Sequence, residues 1–149
     1  MGDPLAMRFT HAQPDLRALR RHLAVHERQR RRIGCAPWTI IEKSGGKIIG
    51  WGGLYDDPFD PGWGVEVAYL FAPEGWGRGY ATELVRCCLE IAKAELRLCS
   101  VAAFAHPDNA ASRRVLEKCG FVIERFVPSM QRLLYRWQLA GAQPSPAPS

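Results

Sequence analysis

At 149 residues, with 47% hydrophobic and 23% charged positions, the chain suits one globular domain with a proper core. No apolar run nears the roughly 20 residues of a membrane helix, and Met1 to Gln13 lacks the apolar centre of a signal peptide, so the cytoplasm is the expected location. The five cysteines are odd in number and form no C-x-x-C pair, which argues against a disulfide framework and against zinc or another metal.

Those cysteines are expected to serve as small buried apolar residues. The net charge of +5 is unevenly placed. Arg17, Arg20, Arg21, Arg28, Arg30, Arg31 and Arg32 crowd one segment, opposed only by Asp15 and Glu27. A solvated helix face is the plain reading. Contact with the ribosome or RNA, a subunit contact and steering of an anionic ligand are the others.

Met7 to Thr10 is a short strand or nothing. Asp15 can cap a helix with Leu16, Leu19 and Leu23 at helical spacing, ending near Gly34. Pro37 to Glu42 and Lys47 to Tyr55 read as strands joined at Ser44-Gly45-Gly46, a hairpin. Asp56 to Gly62, with two prolines and three aspartates, is a loop. Val65 to Phe71 is a third strand, Ala81 to Leu96 an amphipathic helix and Ser100 to Ala105 a buried strand. That strand–helix–strand order is a crossover implying locally parallel strands. Ala110 to Cys119 is a second amphipathic helix with Gly120 in its left-handed cap. Phe121 to Arg125 and Gln131 to Leu139 are final strands. The expected class is α/β (α+β), a mixed, mostly antiparallel central sheet flanked by helices. One domain is expected over residues 1–139, followed by a disordered Pro/Ser/Ala-rich tail, 140–149.

The segment Pro73-Glu74-Gly75-Trp76-Gly77-Arg78-Gly79-Tyr80-Ala81-Thr82 lies between a strand and a helix start. Unpaired N–H groups and the positive end of a helix dipole converge at such a point and attract phosphate. A P-loop is excluded because Tyr80-Ala81 stand where Lys-Ser/Thr is needed. The dinucleotide fingerprint fails because residue 82 is Thr, not Gly.

Two blocks carry a resemblance. Glu66-Val67-Ala68-Tyr69-Leu70-Phe71-Ala72-Pro73-Glu74-Gly75-Trp76-Gly77-Arg78-Gly79-Tyr80-Ala81-Thr82-Glu83 is similar to a strand followed by Q/R-x-x-G-x-G/A, which fills the Trp76 to Ala81 frame. His106-Pro107-Asp108-Asn109-Ala110-Ala111-Ser112-Arg113-Arg114-Val115-Leu116-Glu117-Lys118-Cys119-Gly120-Phe121 is similar to P-x-N-x-A-S-x-R-V-L-E-K-x-G-F. The chain resembles the GNAT superfamily of acyl-CoA-dependent N-acyltransferases, nearest to its RimJ/RimL-like branch of ribosomal-protein N-terminal acetyltransferases. The resemblance implies a GNAT fold and transfer of an acetyl group from acetyl-CoA to a primary amine by direct attack in a ternary complex. The implied acceptor is a protein N-terminus or a small-molecule amine. Backbone N–H groups from Gly77, Arg78, Gly79, Tyr80, Ala81 and Thr82 are implied to cradle the CoA pyrophosphate. Tyr69, Leu70 and Phe71 are implied to line the pantetheine arm, with the Phe71 N–H at the thioester carbonyl. Asn109 is implied to bond pantetheine, and is equally readable as a helix N-cap. Arg78, Arg113 or Arg114 is implied to meet the 3′-phosphate.

The chain also departs from that pattern. Trp76 fills the Q/R slot. Leu116 fills the slot where many relatives carry a tyrosine acid, leaving Ser112, one turn earlier, as the candidate proton donor. Glu66 matches a base position and is the candidate base. Only about one helix fits before Pro37, a shortened N-terminal part, so the acceptor wall is open, completed by a partner subunit in a homodimer, or lost. The aspartates of the 56–60 loop hint at a cationic acceptor. A catalytically impaired CoA-binding module and a ribosome- or RNA-associated protein are the alternatives.

Overall fold

The computed structural model describes Arg8 and residues 15–142. The candidate strand at Met7 to Thr10 falls outside that range save for Arg8, as does most of the expected tail. Helix α1 (Leu16–Ile33) is followed by β1 (Trp38–Ile41), β2 (Ile48–Asp56), β3 (Val65–Phe71), α2 (Tyr80–Ala94), β4 (Ser100–Ala105), α3 (Ala110–Lys118), β5 (Val122–Val127) and β6 (Arg132–Gln138). The sheet order is β1-β2-β3-β4-β6-β5. All neighbours are antiparallel except β3 and β4, the pair joined by the α2 crossover. The mixed, mostly antiparallel class read from the sequence is therefore the observed one.

Two apolar layers hold the sheet. On one face the stripe of α2 (Val85, Cys88, Leu89, Ala92) packs with α3 Leu116 onto Leu54, Val67, Phe71, Val101 and Tyr135. Each fully buried Leu or Val there contributes about 1.5–3 kcal/mol. On the other face, Trp63, Phe104 and Met130 cover Ala102, Val127 and Leu134.

The sheet opens at its middle. Gly50 faces Phe71, and the adjacent bond runs from the Ala72 N–H to the Ile49 carbonyl (2.9 Å). Gly50–Phe71 is therefore a pair that exchanges no hydrogen bonds. By alternation, Tyr69 and Phe71 turn their own N–H and C=O groups away from β2. Strand β4 is in register with β3 only at Glu66–Ala102. Beyond Glu66 the two strands part, and the edge of β3 faces a cleft.

Glycine is required on β2 behind that edge. A Cβ on Gly52 would lie 2.6 Å from the Ala68 carbonyl oxygen and 2.8 Å from the Tyr69 Cα, and backbone atoms in a central strand cannot give way. Gly52→Ala is expected to cost about 1–3 kcal/mol of stability, read as a lower urea midpoint with an unchanged slope.

The inward face of α1 differs from the sequence expectation. Leu16 and Leu23 are exposed, while His26 and Gln29 are buried. The helix packs on β2 through polar and aromatic neighbours rather than an apolar stripe. Its seven clustered arginines are all exposed, and Arg30 and Arg31 pair with Glu27 (2.8 and 3.1 Å), as a solvated face requires. The cysteine expectation holds in part. Cys35 and Cys88 are buried, but Cys87 and Cys99 are exposed; Cys87 lies on the side of α2 opposite the apolar stripe and Cys99 just before β4. Among the described residues no helix is long and apolar enough to cross a membrane.

Candidate active site

The glycine turn and the open edge of β3 share one cavity of about 1060 Å³. After a single 3-10 turn at Pro73–Gly75, Gly77 and Gly79 take left-handed φ values of 69° and 81°. A Cβ at either would meet nothing within 4 Å, so glycine serves the backbone conformation here and the space above it stays open. Gly79 caps α2 without a side-chain hydrogen bond. The first helical bond at this end is Glu83 N–H to the Gly79 carbonyl (3.0 Å). The N–H groups of Tyr80, Ala81 and Thr82 are therefore left without a helical acceptor, at the positive end of the dipole. Tyr69, Leu70, Phe71, Gly77, Ala81, Thr82, Asn109 and Arg114 all line the cavity.

Other sequence candidates are committed elsewhere. The Arg78 guanidinium lies 2.7 Å from Glu42 and 5.0 Å above the Tyr80 ring, and the Tyr80 hydroxyl donates to the same carboxylate (2.9 Å). Arg113 donates to the Tyr135 hydroxyl and the Pro107 carbonyl. Trp76 donates its indole N–H to the Phe71 carbonyl (3.0 Å), which closes the end of the β3 edge.

Two titratable centres flank the cleft. Glu66 sits where β3 and β4 part. It is 5% exposed and lies opposite Tyr55 on β2, with which it shares a hydrogen bond. Burial pushes its carboxyl up to about 7, against the bond from Tyr55 and with help from Asp57, Asp60 and Asp56. Burial likewise pushes the Tyr55 phenol well up. The second centre is a hydroxyl pair, Tyr69 Oη and Ser112 Oγ, 3.0 Å apart. Burial lifts the Tyr69 phenol to about 12, partly offset by the bond to Ser112, so it stays protonated. Alternation along β3 sends Glu66 to one face and Tyr69 to the other. Asn109 caps α3: its Oδ1 accepts the Ser112 N–H (3.1 Å). Leu116, in the tyrosine slot, is buried in the core.

On the Glu66 side the wall is aromatic. Phe59 stacks on His22 (4.9 Å, 3° between planes), and the Nε2 atoms of His22 and His26 are 2.9 Å apart. The 56–62 loop is tied down by Gln29, which donates to the Asp56 carbonyl (3.1 Å), and by Asp57, which accepts the Phe59 N–H (2.8 Å).

A family model for the acetyltransferase (GNAT) domain matches residues 1–122. The chain belongs to the GNAT family. It is therefore an acyltransferase, and acetyl transfer is the family's chemistry. It is similar to the uncharacterized protein YkkB of Bacillus subtilis, 32% identical over 119 residues, covering 80% of this chain and 69% of YkkB. The fold is shared with an acetyltransferase from Agrobacterium tumefaciens (TM-score 0.72, 24% identity, 84% of this chain and 73% of that one). It is shared too with the ribosomal-protein-S5-alanine acetyltransferase of Vibrio fischeri (TM-score 0.66, 21% identity, 84% and 72%). At these identities the solved structures speak for the fold.

GNAT acetyltransferases use acetyl-CoA, and the residues present fit that molecule. The uncapped N–H groups of α2 suit a pyrophosphate, and the unpaired edge of β3 suits an amide-bearing chain added as a strand. Two basic residues escaped the sequence reading. Arg86 and Lys118 gather with Gly79, Thr82 and Glu83 in a shallow pocket beside the turn, two cations against one carboxylate. The signal for Arg86 was its spacing: residues 79, 82, 83 and 86 fall on one helical face. Lys118 comes from α3, and only the packing of α3 on α2 brings it there.

Proposed function

We propose that the protein transfers the acetyl group of acetyl-CoA to a primary amine by direct attack within a ternary complex, in the manner of the RimJ/RimL-like branch. Acetyl-CoA supplies the acetyl group activated as a thioester. Gly77, Gly79 and the N–H groups of Tyr80 to Thr82 hold the pyrophosphate. Arg86 and Lys118, with Arg114 on the cavity wall, supply positive charge for the remaining phosphate in place of the committed Arg78 and Arg113. The β3 edge from Tyr69 to Phe71 pairs with the pantetheine amides, and the Asn109 amide nitrogen meets one of their carbonyls while its oxygen caps α3. The Phe71 N–H faces the oxygen on which negative charge grows. Glu66 takes the proton that an ammonium must lose before its nitrogen can form the C–N bond. As the C–S bond breaks, Ser112 gives its proton to the sulfur and is replenished through Tyr69.

The observation that carries this reading is Glu66, a buried carboxyl lining the cavity at the point where β3 and β4 part. The test is thiol release from acetyl-CoA in the presence of primary amines. Release that depends on amine, with formation of the N-acetyl product, is the expected result. CoA binding without amine-dependent release by any acceptor overturns it in favour of a binding module. Gly79→Val, which forces a β-branched residue into a φ of 81°, is expected to weaken acetyl-CoA binding about tenfold or more by calorimetry, since it disturbs the helix start that holds the phosphates.

A further inference from the structure

The α1 side of the cavity carries more chemistry than a generic amine site needs. Its walls are flat and apolar: Trp51 and Tyr55 from β2 (ring centroids 6.5 Å apart), Phe59 from the loop, and the His22 ring stacked behind Phe59. The loop bearing Phe59 is fixed in place by Gln29, by the Asp57 turn and by that stacking. Behind His22, His26 is buried, and burial holds its pKa down, which disfavours a charge at that position.

Negative charge is concentrated at one end. Glu66 and Asp57 both line the cavity, and Asp57, Asp60 and Asp56 are all close enough to raise the Glu66 pKa. The same cavity is also lined by Arg132 and Arg8, and Arg132 acts electrostatically on Tyr55. A ligand with one cation satisfies this arrangement. Along the ring-lined wall, away from that acidic end, a second cation is set against apolar rings or against Arg8 and Arg132, and both are unfavourable.

Resting on the acetyl-transfer reading above, we infer that the acceptor is a monoamine on an aromatic body. Its ammonium sits against Glu66 and Asp57 and its ring lies against Trp51 and Phe59. Ring stacking and cation–π attraction favour such a ligand over an aliphatic one of equal length.

The test pairs turnover with binding. Phenethylamine, tyramine, spermidine and an alanine-initiated peptide are compared as acceptors by kcat/KM. Phenethylamine binding to the protein with CoA is measured by calorimetry. The aryl amines are expected to exceed spermidine and the peptide by about tenfold or more, a margin one aromatic contact can supply. Phe59→Ala and Trp51→Ala should each raise KM for phenethylamine by about tenfold, with acetyl-CoA affinity as the check on folding. Preference for spermidine or the peptide, or a phenethylamine KM indifferent to both variants, overturns the inference and leaves acetyl transfer standing. Phenethylamine binding with no turnover of any amine upholds the pocket and overturns acetyl transfer. Neither binding nor turnover overturns both.

Discussion

Glu66→Gln is expected to lower kcat/KM for amine acetylation by about 10²–10⁴-fold, the usual worth of a positioned base. Glutamine keeps the shape and can still accept a hydrogen bond from Tyr55, but it cannot take a proton. Because Glu66 is raised from 4.5 to about 7 by burial, the wild-type kcat/KM should climb with pH through about 7, as the carboxylate forms. The glutamine variant should lack that limb. Stability must move the other way. Below pH 4.5 the carboxyl is neutral in the folded and the unfolded chain, so it adds no penalty. Between 4.5 and about 7 the unfolded chain ionises first, and the folded state loses stability as pH rises. Above 7 the cost is constant, at up to about 3 kcal/mol. Glu66→Gln should therefore be more stable than wild type at pH 8 and equal to it at pH 4, by thermal melting. An inactive, stabilised variant separates a lost base from a damaged fold. Undiminished activity at pH 8 removes Glu66 from the base role.

The elements that were legible in the sequence are those whose burial is local and apolar. Leu84, Val85, Cys88, Leu89 and Ala92 announce the inner face of α2 at helical spacing, and each is buried. The turn at Gly77 and Gly79 and the cap at Asn109 were legible because left-handed glycines and side-chain caps are set by neighbours in sequence. What escaped depends on partners far along the chain. Arg78 reads as a phosphate ligand until Glu42, 36 residues earlier, arrives beside it. The α1 helix reads as leucine-faced, yet it turns His26 and Gln29 inward because the surface it meets is the aromatic wall of a cavity, where leucine has no advantage. Gly52 reads as an ordinary strand glycine until β3 pairs beside it and leaves a Cβ only 2.6 Å from the Ala68 carbonyl oxygen. Tyr69 was legible as a cavity residue, and its bond to Ser112 was not, since it spans 43 residues between a strand and a helix.

That bond supports the second large effect. Ser112→Ala is expected to lower kcat by about 10²-fold, near the lower end of general-acid contributions, with little change in KM for acetyl-CoA. A serine hydroxyl is by itself a poor acid. Here a neutral phenol at 3.0 Å can donate to its oxygen as it gives its own proton away, and chained hydrogen bonds of this kind strengthen one another. The high pKa of Tyr69, about 12, keeps the phenol a donor throughout the working range, so the pair adds no titration of its own near neutrality. Tyr69→Phe preserves the ring and removes the donor; a smaller loss of about tenfold is expected. Because the two hydroxyls act as one relay, the double variant should be no slower than Ser112→Ala alone, a coupling that a thermodynamic cycle reads directly. The diagnostic measurement is an acetyl thioester whose thiol is more acidic than that of CoA. Such a thiolate leaves without needing a proton, so both single variants should recover most of their rate with it if the relay protonates sulfur. If Ser112 and Tyr69 only shape the cleft, the deficit will be the same with either thioester.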